Sequence, residues 1–233
     1  MKYLIADIVT EYLPKYDYLK NLSLPFEYKS ECPAQIYLSP TKRYFDSICR
    51  KMSDKIGIGR CESFAYSCLF SKEIISYNAM LIHSSAIKYN GKAYLFSAQS
   101  GVGKSTHTAL WKKAFGSMVE IINDDKPVVR VKNGRAVAFG TPFDGGSGIA
   151  NNISAPVGAV VFVKRGEKNS VKKAENSEII SNLYLSTSRY LTADVADKLL
   201  NNIEELISCC DFYILTCNTD ISAAYTARDA IVK

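Results

Sequence analysis

The sequence predicts an α/β fold built on a mixed β-sheet, and three observations support this prediction. Two pairs of strand-like segments, at residues 84–97 and 127–139, each turn at an Asn-Gly dipeptide, which is typical of a β-hairpin. A glycine-rich loop at residues 98–105 lies between a predicted strand and a predicted helix. Strand and helix patterns then alternate to the end of the chain, as in a sheet covered by helices.

The composition is that of a globular protein. Apolar residues make up 47% and charged residues 22% of the 233 residues, which argues against a disordered chain. Lys and Arg number 29 against 23 Asp and Glu, and the formal charge of +6 favours an anionic ligand. The excess does not form a basic block, so we expect no nucleic-acid partner.

Neither a membrane span nor a secretion signal is predicted. No stretch approaches ~18 consecutive apolar residues, and the first residues, interrupted by Asp7, lack the apolar length of a signal peptide. The seven cysteines form no CxxC pair, and with two histidines they argue against a structural zinc site. We therefore expect a cytoplasmic protein that has reduced thiols and does not bind membranes.

Residues 1–78 are predicted to form a small, mostly β N-terminal region. Short strands at residues 3–6 and 34–38 are separated by prolines, and a helix is predicted near residues 64–77. No group of candidate catalytic residues occurs in this region. Its tyrosines and cysteines are expected to serve packing.

Residues 79–233 are predicted to form the larger α/β domain. Asn90-Gly91 and Asn133-Gly134 supply its two hairpin turns, because both central residues of such a turn need a positive φ. The predicted elements are the hairpin 84–89 and 92–97, a helix over 105–115, a strand over 119–122, the hairpin 127–131 and 135–139, a strand over 158–163, a helix over 192–208, a strand over 212–217 and a helix over 221–232.

The glycine-rich loop contains most of a phosphate-binding motif. Its glycines allow backbone N–H groups to converge on oxyanions, while Lys104 can reach the β- and γ-phosphates and Ser105 can hold Mg²⁺. The pattern G-x-x-x-x-G-K-[ST] is met at three of its four defined positions, because Ala98 replaces the first glycine. The strand before and the helix after favour nucleotide binding over a chance match. The predicted nucleotide contacts are Ser100, Gly101, Val102, Gly103, Lys104, Ser105 and Thr106.

Two adjacent acids, Asp124 and Asp125, close the strand predicted over residues 119–122. One carboxylate can hold a metal ion, and the other can accept a proton from an attacking hydroxyl. The alternative is an ordinary solvated turn, but their place after the glycine-rich loop favours the first interpretation. We assign Asp124 as the base and Asp125, with Ser105, as the Mg²⁺ site.

Three other residues are weighed against structural roles. His83 precedes the first hairpin, whose pairing brings it near the glycine-rich loop, where it could orient Asp124 or serve packing. Arg165 follows a predicted strand and is a candidate for stabilising the transferred phosphoryl group, against the alternative of a solvated side chain. His107 lies on the first helical turn, where it could contact phosphate or face solvent.

Three segments of the sequence resemble the catalytic domain of HPr kinase/phosphorylase and its shorter relatives. That group is similar in fold to phosphoenolpyruvate carboxykinase. The resemblance spans about residues 80–232 and implies a P-loop core whose mixed sheet carries hairpins beside the phosphate loop. The segments are His83-Ser84-Ser85, Phe96 to Thr106, and Asn123-Asp124-Asp125.

The resemblance implies a Mg²⁺-dependent kinase that uses ATP or another nucleoside triphosphate. It places Lys104 and Ser105 on the nucleotide phosphates and Mg²⁺, and it makes His83 a support for the base. The acceptor hydroxyl could belong to a protein, a peptide or a small molecule, with the loop 144–148 as the candidate acceptor-side element. The alternative is a nucleotide-dependent binding or regulatory protein without phosphoryl transfer. Carboxykinase chemistry would need additional arginines that the sequence does not place.

Overall fold

The computed structural model describes residues 1–52, 56–187 and 192–232. The described residues form two β-sheets and seven α-helices. The strands are β1 (Lys2–Ile5), β2 (Ile8–Glu11), β3 (Ile36–Tyr37), β4 (Ala79–Leu81), β5 (Ser84–Tyr89), β6 (Lys92–Ser97), β7 (Val119–Asn123), β8 (Val128–Lys132), β9 (Arg135–Phe139), β10 (Ser154–Arg165), β11 (Ser170–Lys173) and β12 (Asp211–Cys217). The helices are α1 (Asp17–Ser23), α2 (Lys42–Lys51), α3 (Ile58–Glu73), α4 (Lys104–Phe115), α5 (Asn176–Ser186), α6 (Ala193–Cys209) and α7 (Ser222–Ile231).

The larger sheet is mixed, as predicted, and β10 connects its parts. The strand order is β4-β8-β9-β10-β6-β5-β7, with β12 paired to β10 and β11 paired to β12. The first residues of β10 run antiparallel to β9, and the later ones run parallel to β6 and β12. The carboxyl ends of β6, β10 and β12 therefore share one edge, where loops after parallel strands gather.

Both predicted hairpins are confirmed. In the first, Ser84 pairs with Ser97 at the open end of β5 and β6, and the turn residues Asn90 and Gly91 have φ values of 48° and 75°. In the second, Asn133 and Gly134 have φ values of 52° and 68° between β8 and β9. The open end of the first hairpin holds His83 beside the start of the glycine-rich loop.

The prediction of a mostly β N-terminal region is wrong. It contains the three-stranded sheet β1-β2-β3, but α1, α2 and α3 hold more of its residues. Thr41 caps α2 by accepting a hydrogen bond from the N–H of Tyr44. In α3 the buried Tyr66 and Phe70, with Ile74 just beyond, recur every fourth residue, a helical spacing that interspersed Ser and Cys residues obscure.

One apolar core joins the N-terminal region to the larger sheet. Tyr12, Phe26 and Phe70 belong to the same buried cluster as Val128 and Phe143. The division at residue 78 stays a prediction, but this packing fixes α3 against the edge that carries the candidate site. Among the described helices, none has the length and apolar content that a bilayer crossing requires.

Candidate active site

The glycine-rich loop, which we call the GKS loop (residues 98–105), connects β6 to α4. Gly101 and Gly103 have φ values of 80° and 126°, a region that favours glycine. A Cβ atom at Gly101 would meet nothing within 4 Å, so a side chain would not clash there. Glycine is favoured at this position because of the positive φ. Helix α4 begins at Lys104, and the N–H groups of its first turn are available to an anion.

The alanine in place of the first motif glycine is compatible with this loop. Ala98 does not adopt a positive φ, and its side chain packs against the apolar cluster around Trp111. Its carbonyl accepts a hydrogen bond of 3.2 Å from Nζ of Lys104. Lys104 is only 8% exposed, and burial lowers its pKa against the opposing charges of Asp125 and Asp124.

Arg165 reaches the GKS loop from the end of β10. Its Nε donates to the carbonyl of Val102 at 3.0 Å, and its Nη2 donates to the carbonyl of Gly101. Its guanidinium therefore binds the backbone of the loop in this structure. The role predicted for it, on the transferred phosphoryl group, stays a prediction.

His107 is a buried residue of α4 and not a surface one. Its Nε2 accepts a hydrogen bond of 3.0 Å from the indole N–H of Trp111, and its ring contacts Phe96 edge-on. Burial lowers its pKa to about 4, so the ring is neutral at neutral pH. Its Nδ1 has no hydrogen-bond partner among the described residues.

The turn that carries the two acids is held by Asn123, which sequence reasoning missed. The Asn123 side chain is fully buried; its amide donates to the carbonyls of Thr141 and Phe143, and its Oδ1 accepts from the N–H groups of Asp125 and Lys126. An Asn at the end of a predicted strand, directly before two acids, was the available signal.

Asp124 faces the first turns of α4. Its Oδ1 accepts a hydrogen bond of 2.7 Å from the hydroxyl of Ser85, which lies 2.9 Å from the hydroxyl of Thr108. Thr108 in turn donates to the carbonyl of Ser105 at 3.1 Å. Asp124 is thus tied to the same helix turn that presents Ser105.

His83 contacts Asp125, and among the described residues it makes no recorded contact with Asp124, the acid that it is predicted to orient. Nε2 of His83 lies 3.0 Å from Oδ1 of Asp125, and Nζ of Lys126 lies 3.2 Å from Oδ2. Burial raises the pKa of Asp125, but the His83 hydrogen bond and the Lys126 charge outweigh it and lower that pKa to about 2. Adjacent residues at a strand end point in different directions, which is why the two acids have different partners.

The loop 144–148 lies directly against Asp125. A Cβ atom at Gly145 would be 2.9 Å from Cγ of Asp125, so glycine permits this approach. The loop is anchored through Asp144, which accepts hydrogen bonds from the Tyr18 hydroxyl at 2.8 Å and 2.9 Å and from the N–H of Gly148 at 2.7 Å. Tyr18 lies in α1, so the N-terminal region fixes this loop.

Three cavities adjoin one another along this edge. An outer cavity of about 610 Å³ lies beside Gly101, Thr106 and Arg165. A loop cavity of about 290 Å³ is lined by the GKS loop, Asp124 and Asp125. A helix cavity of about 880 Å³ lies beside α2 and α3. The outer and loop cavities share Gly101, Gly103 and Thr106, whereas the loop and helix cavities share His83, Ser100, Asp125 and Gly145.

The loop cavity brings together most of the predicted site residues. Ser100, Gly101, Gly103, Lys104, Ser105, Thr106, His83, Asp124 and Asp125 all line it. Val102 and Arg165 line the outer cavity instead. Ser105, Asp124 and Asp125, which line this cavity together, carry side-chain oxygen atoms of the kind that Mg²⁺ prefers.

Comparisons with known proteins add one finding. No family model matches the sequence, and no curated protein matches it. Among solved structures, the chain is similar to the Hpr(Ser) kinase/phosphatase from Coxiella burnetii, with 12% identity and a TM-score of 0.37, over 64% of this chain and 95% of that chain. A likeness of this size assigns no function, so the family resemblance of the motifs stays a prediction.

Proposed function

We propose that this protein binds Mg²⁺-ATP and transfers its γ-phosphoryl group to the hydroxyl of an acceptor. One observation carries the proposal: the His83–Asp125 pair forms part of the wall that the loop cavity and the helix cavity share. A carboxylate in that position can face a phosphate on one side and a hydroxyl on the other, as in-line transfer requires.

In this proposal the nucleotide occupies the loop cavity and the outer cavity. Its phosphates lie in the loop cavity on the N–H groups of the GKS loop and the α4 terminus, with Lys104 released from the Ala98 carbonyl. Its nucleoside lies in the outer cavity. When bound, Mg²⁺ would neutralise phosphate charge, and Ser105 and Asp124 are the residues that would hold it.

The geometry favours Asp125 as the base, which exchanges the roles we assigned to the two acids from the sequence. Asp125 lines the helix cavity and the loop cavity, whereas Asp124 lines only the loop cavity. The acceptor oxygen bonds to the γ-phosphorus as the bond from that phosphorus to the β,γ-bridging oxygen breaks, and ADP leaves. The hydroxyl proton passes to Asp125 and then to solvent, while His83 positions the carboxylate.

One observation favours the alternative, a nucleotide-binding protein without transfer. Both oxygens of Asp125 are engaged, by His83 and Lys126, and its low pKa makes it a weak base. Acceptor binding would have to displace one of these contacts before Asp125 could receive a proton.

The experiment that separates the two functions follows ATP by ³¹P NMR in the presence of Mg²⁺ and a broad panel of hydroxyl compounds, peptides and proteins. Nucleotide affinity is measured on the same samples by titration calorimetry. The proposal predicts Mg²⁺-dependent ATP binding together with a phosphorylated acceptor. Tight binding with no transferred phosphate would favour the alternative, and absence of binding would contradict both.

A further inference from the structure

The helix cavity is large and belongs mostly to the N-terminal region. Its volume of about 880 Å³ lies in the ordinary range for small-molecule sites. Asp125 reaches it while remaining only 17% exposed in its side chain, so an acceptor hydroxyl that meets this carboxylate from the side opposite the loop cavity has to enter the helix cavity. Its apolar wall comes from side chains of α2, α3 and their neighbours: Ile48, Met52, Phe64, Leu81 and Leu185.

The charges that line this cavity are unbalanced. Four cationic side chains face two carboxylates, Asp125 and Asp144. The Asp144 carboxylate is bound by Tyr18 and Gly148, and Asp125 by His83 and Lys126. Two of the lysines have no ion pair among the described residues. The four cations are Lys51, Arg60, Lys72 and Lys126. Among the described residues only Lys126 of these four forms an ion pair, with Asp125, and Arg60 donates to the carbonyl of Gly145.

Two of these lysines influence a thiol on the cavity wall. Burial raises the pKa of Cys68, a cavity residue on α3, while Lys126 and Lys72 both lower it. Lys72, Lys126 and Cys68 all line this one cavity. Ser63, also on this wall, is 3% exposed, and its hydroxyl has no hydrogen-bond partner among the described residues. A buried hydroxyl without a partner is costly unless a ligand satisfies it.

We propose that the helix cavity binds the phosphoryl acceptor and that this acceptor is a small hydroxy acid. Its hydroxyl meets Asp125, its apolar part packs against the α2 and α3 side chains, and its carboxylate binds Lys72. The proposal rests on the proposed kinase function for the transfer step, but the binding of an organic anion in this cavity can be tested without it. A hydroxyl on a folded protein would have to be inserted deeply to reach the same carboxylate.

The transfer test compares three acids with their methyl esters: 3-hydroxybutyrate, N-acetylserine and N-acetyltyrosine, with an end-blocked seryl peptide beside them. Phosphorylated products are measured by ³¹P NMR with Mg²⁺-ATP in wild type, Lys72→Gln and the control Lys20→Gln, whose lysine is exposed on α1. We expect kcat/KM for at least one acid to exceed that for its ester about tenfold or more, because a charged hydrogen bond is lost in the ester. Lys72→Gln should remove this preference and leave KM for ATP unchanged, and Lys20→Gln should keep it.

Equal use of acids and esters, preference for the blocked peptide, or no transfer to any acid while ATP binds would overturn the proposal.

A protein that does not bind ATP would instead contradict the kinase function. Anion binding in the helix cavity is then tested by alkylation of its cysteine. Site-resolved mass spectrometry compares iodoacetate with iodoacetamide at Cys68 and at the exposed Cys32. We expect the iodoacetate-to-iodoacetamide rate ratio at Cys68 to exceed that at Cys32 about fivefold and to fall in Lys72→Gln. An equal ratio, or no labelling of Cys68 by either reagent, would contradict an anion site.

Discussion

The loop cavity and the helix cavity meet at His83 and Asp125, but they are built in different ways. Most of the loop cavity comes from two short stretches, residues 100–106 and 124–125. The helix cavity gathers side chains from α1, α2, α3, β4 and the loop 144–148. A short motif specifies the first, whereas only the packing of distant elements creates the second. Changes at the two cavities should therefore separate nucleotide binding from acceptor binding.

A large effect on both nucleotide binding and transfer is expected on the nucleotide side, at Lys104. Lys104→Ala removes the cation that reaches the phosphates, and transfer should fall by roughly 10²–10³-fold, as it does when one preorganised charge-stabilising donor is lost. ATP affinity should fall as well. The matched control is Lys113→Ala, an exposed lysine of the same helix, which should retain both. Equal activity of the two variants in a coupled ADP assay would contradict the assignment of the GKS loop.

A second prediction concerns the stability of the α4 packing. Because burial holds the pKa of His107 at about 4, the unfolded chain gains a proton on this residue below about pH 6.5 while the folded protein does not. The free energy of unfolding should therefore decrease as pH falls from about 6.5 to 4, by up to about 3 kcal/mol from this residue.

Urea unfolding of His107→Gln at pH 7 and pH 4.5 isolates that contribution. The Gln amide oxygen can still accept from Trp111, but it does not titrate. The variant should lose less stability than wild type between the two pH values. A loss of the same size in both proteins would show that His107 is not held neutral by burial.

The smallest expected effect lies on the acceptor side, at Tyr18. Tyr18→Phe removes the hydroxyl that donates to Asp144 and so loosens the loop beside Asp125. Loss of a hydrogen bond to a carboxylate costs about 1.5–3 kcal/mol, so we expect acceptor KM to rise about tenfold. Steady-state kinetics with each substrate varied in turn would measure this, and KM for ATP should stay constant. An increase confined to KM for ATP would contradict the assignment of the helix cavity to the acceptor.

Local signals in the sequence predict the central part of the fold. Asn90-Gly91 and Asn133-Gly134 fix two hairpins because their turns need positive φ, and Gly101 and Gly103 mark the loop before α4 for the same reason. Helices α1 and α2 were missed, and α3 was predicted only in part, near residues 64–77, because Ser and Cys interrupt its apolar pattern. Strand β11 and helix α5 were also not predicted. Strand β11 is short and exposed, and α5 begins three residues after it ends, at Asn176.

The sequence predicts which residues approach the site better than it predicts their partners. Asp124 and Asp125 are adjacent in the chain, yet one contacts Ser85 and the other contacts His83. Which acid faces which cavity depends on the strand-end geometry and on the side chain of Asn123. The contact between Tyr18 and Asp144 joins residues 126 positions apart, and no local pattern encodes it.

The most direct measurement of the central claim compares Asp125→Asn with Asp124→Asn in Mg²⁺-ATP affinity and in transfer rate. Loss of the base should lower transfer by roughly 10²–10⁴-fold in Asp125→Asn and leave nucleotide affinity nearly unchanged. Asp124→Asn should instead weaken Mg²⁺-dependent nucleotide binding, because that carboxylate is proposed to hold the ion. If Asp124→Asn loses transfer at full nucleotide affinity while Asp125→Asn loses affinity, Asp125 is not the base at the wall between the two cavities.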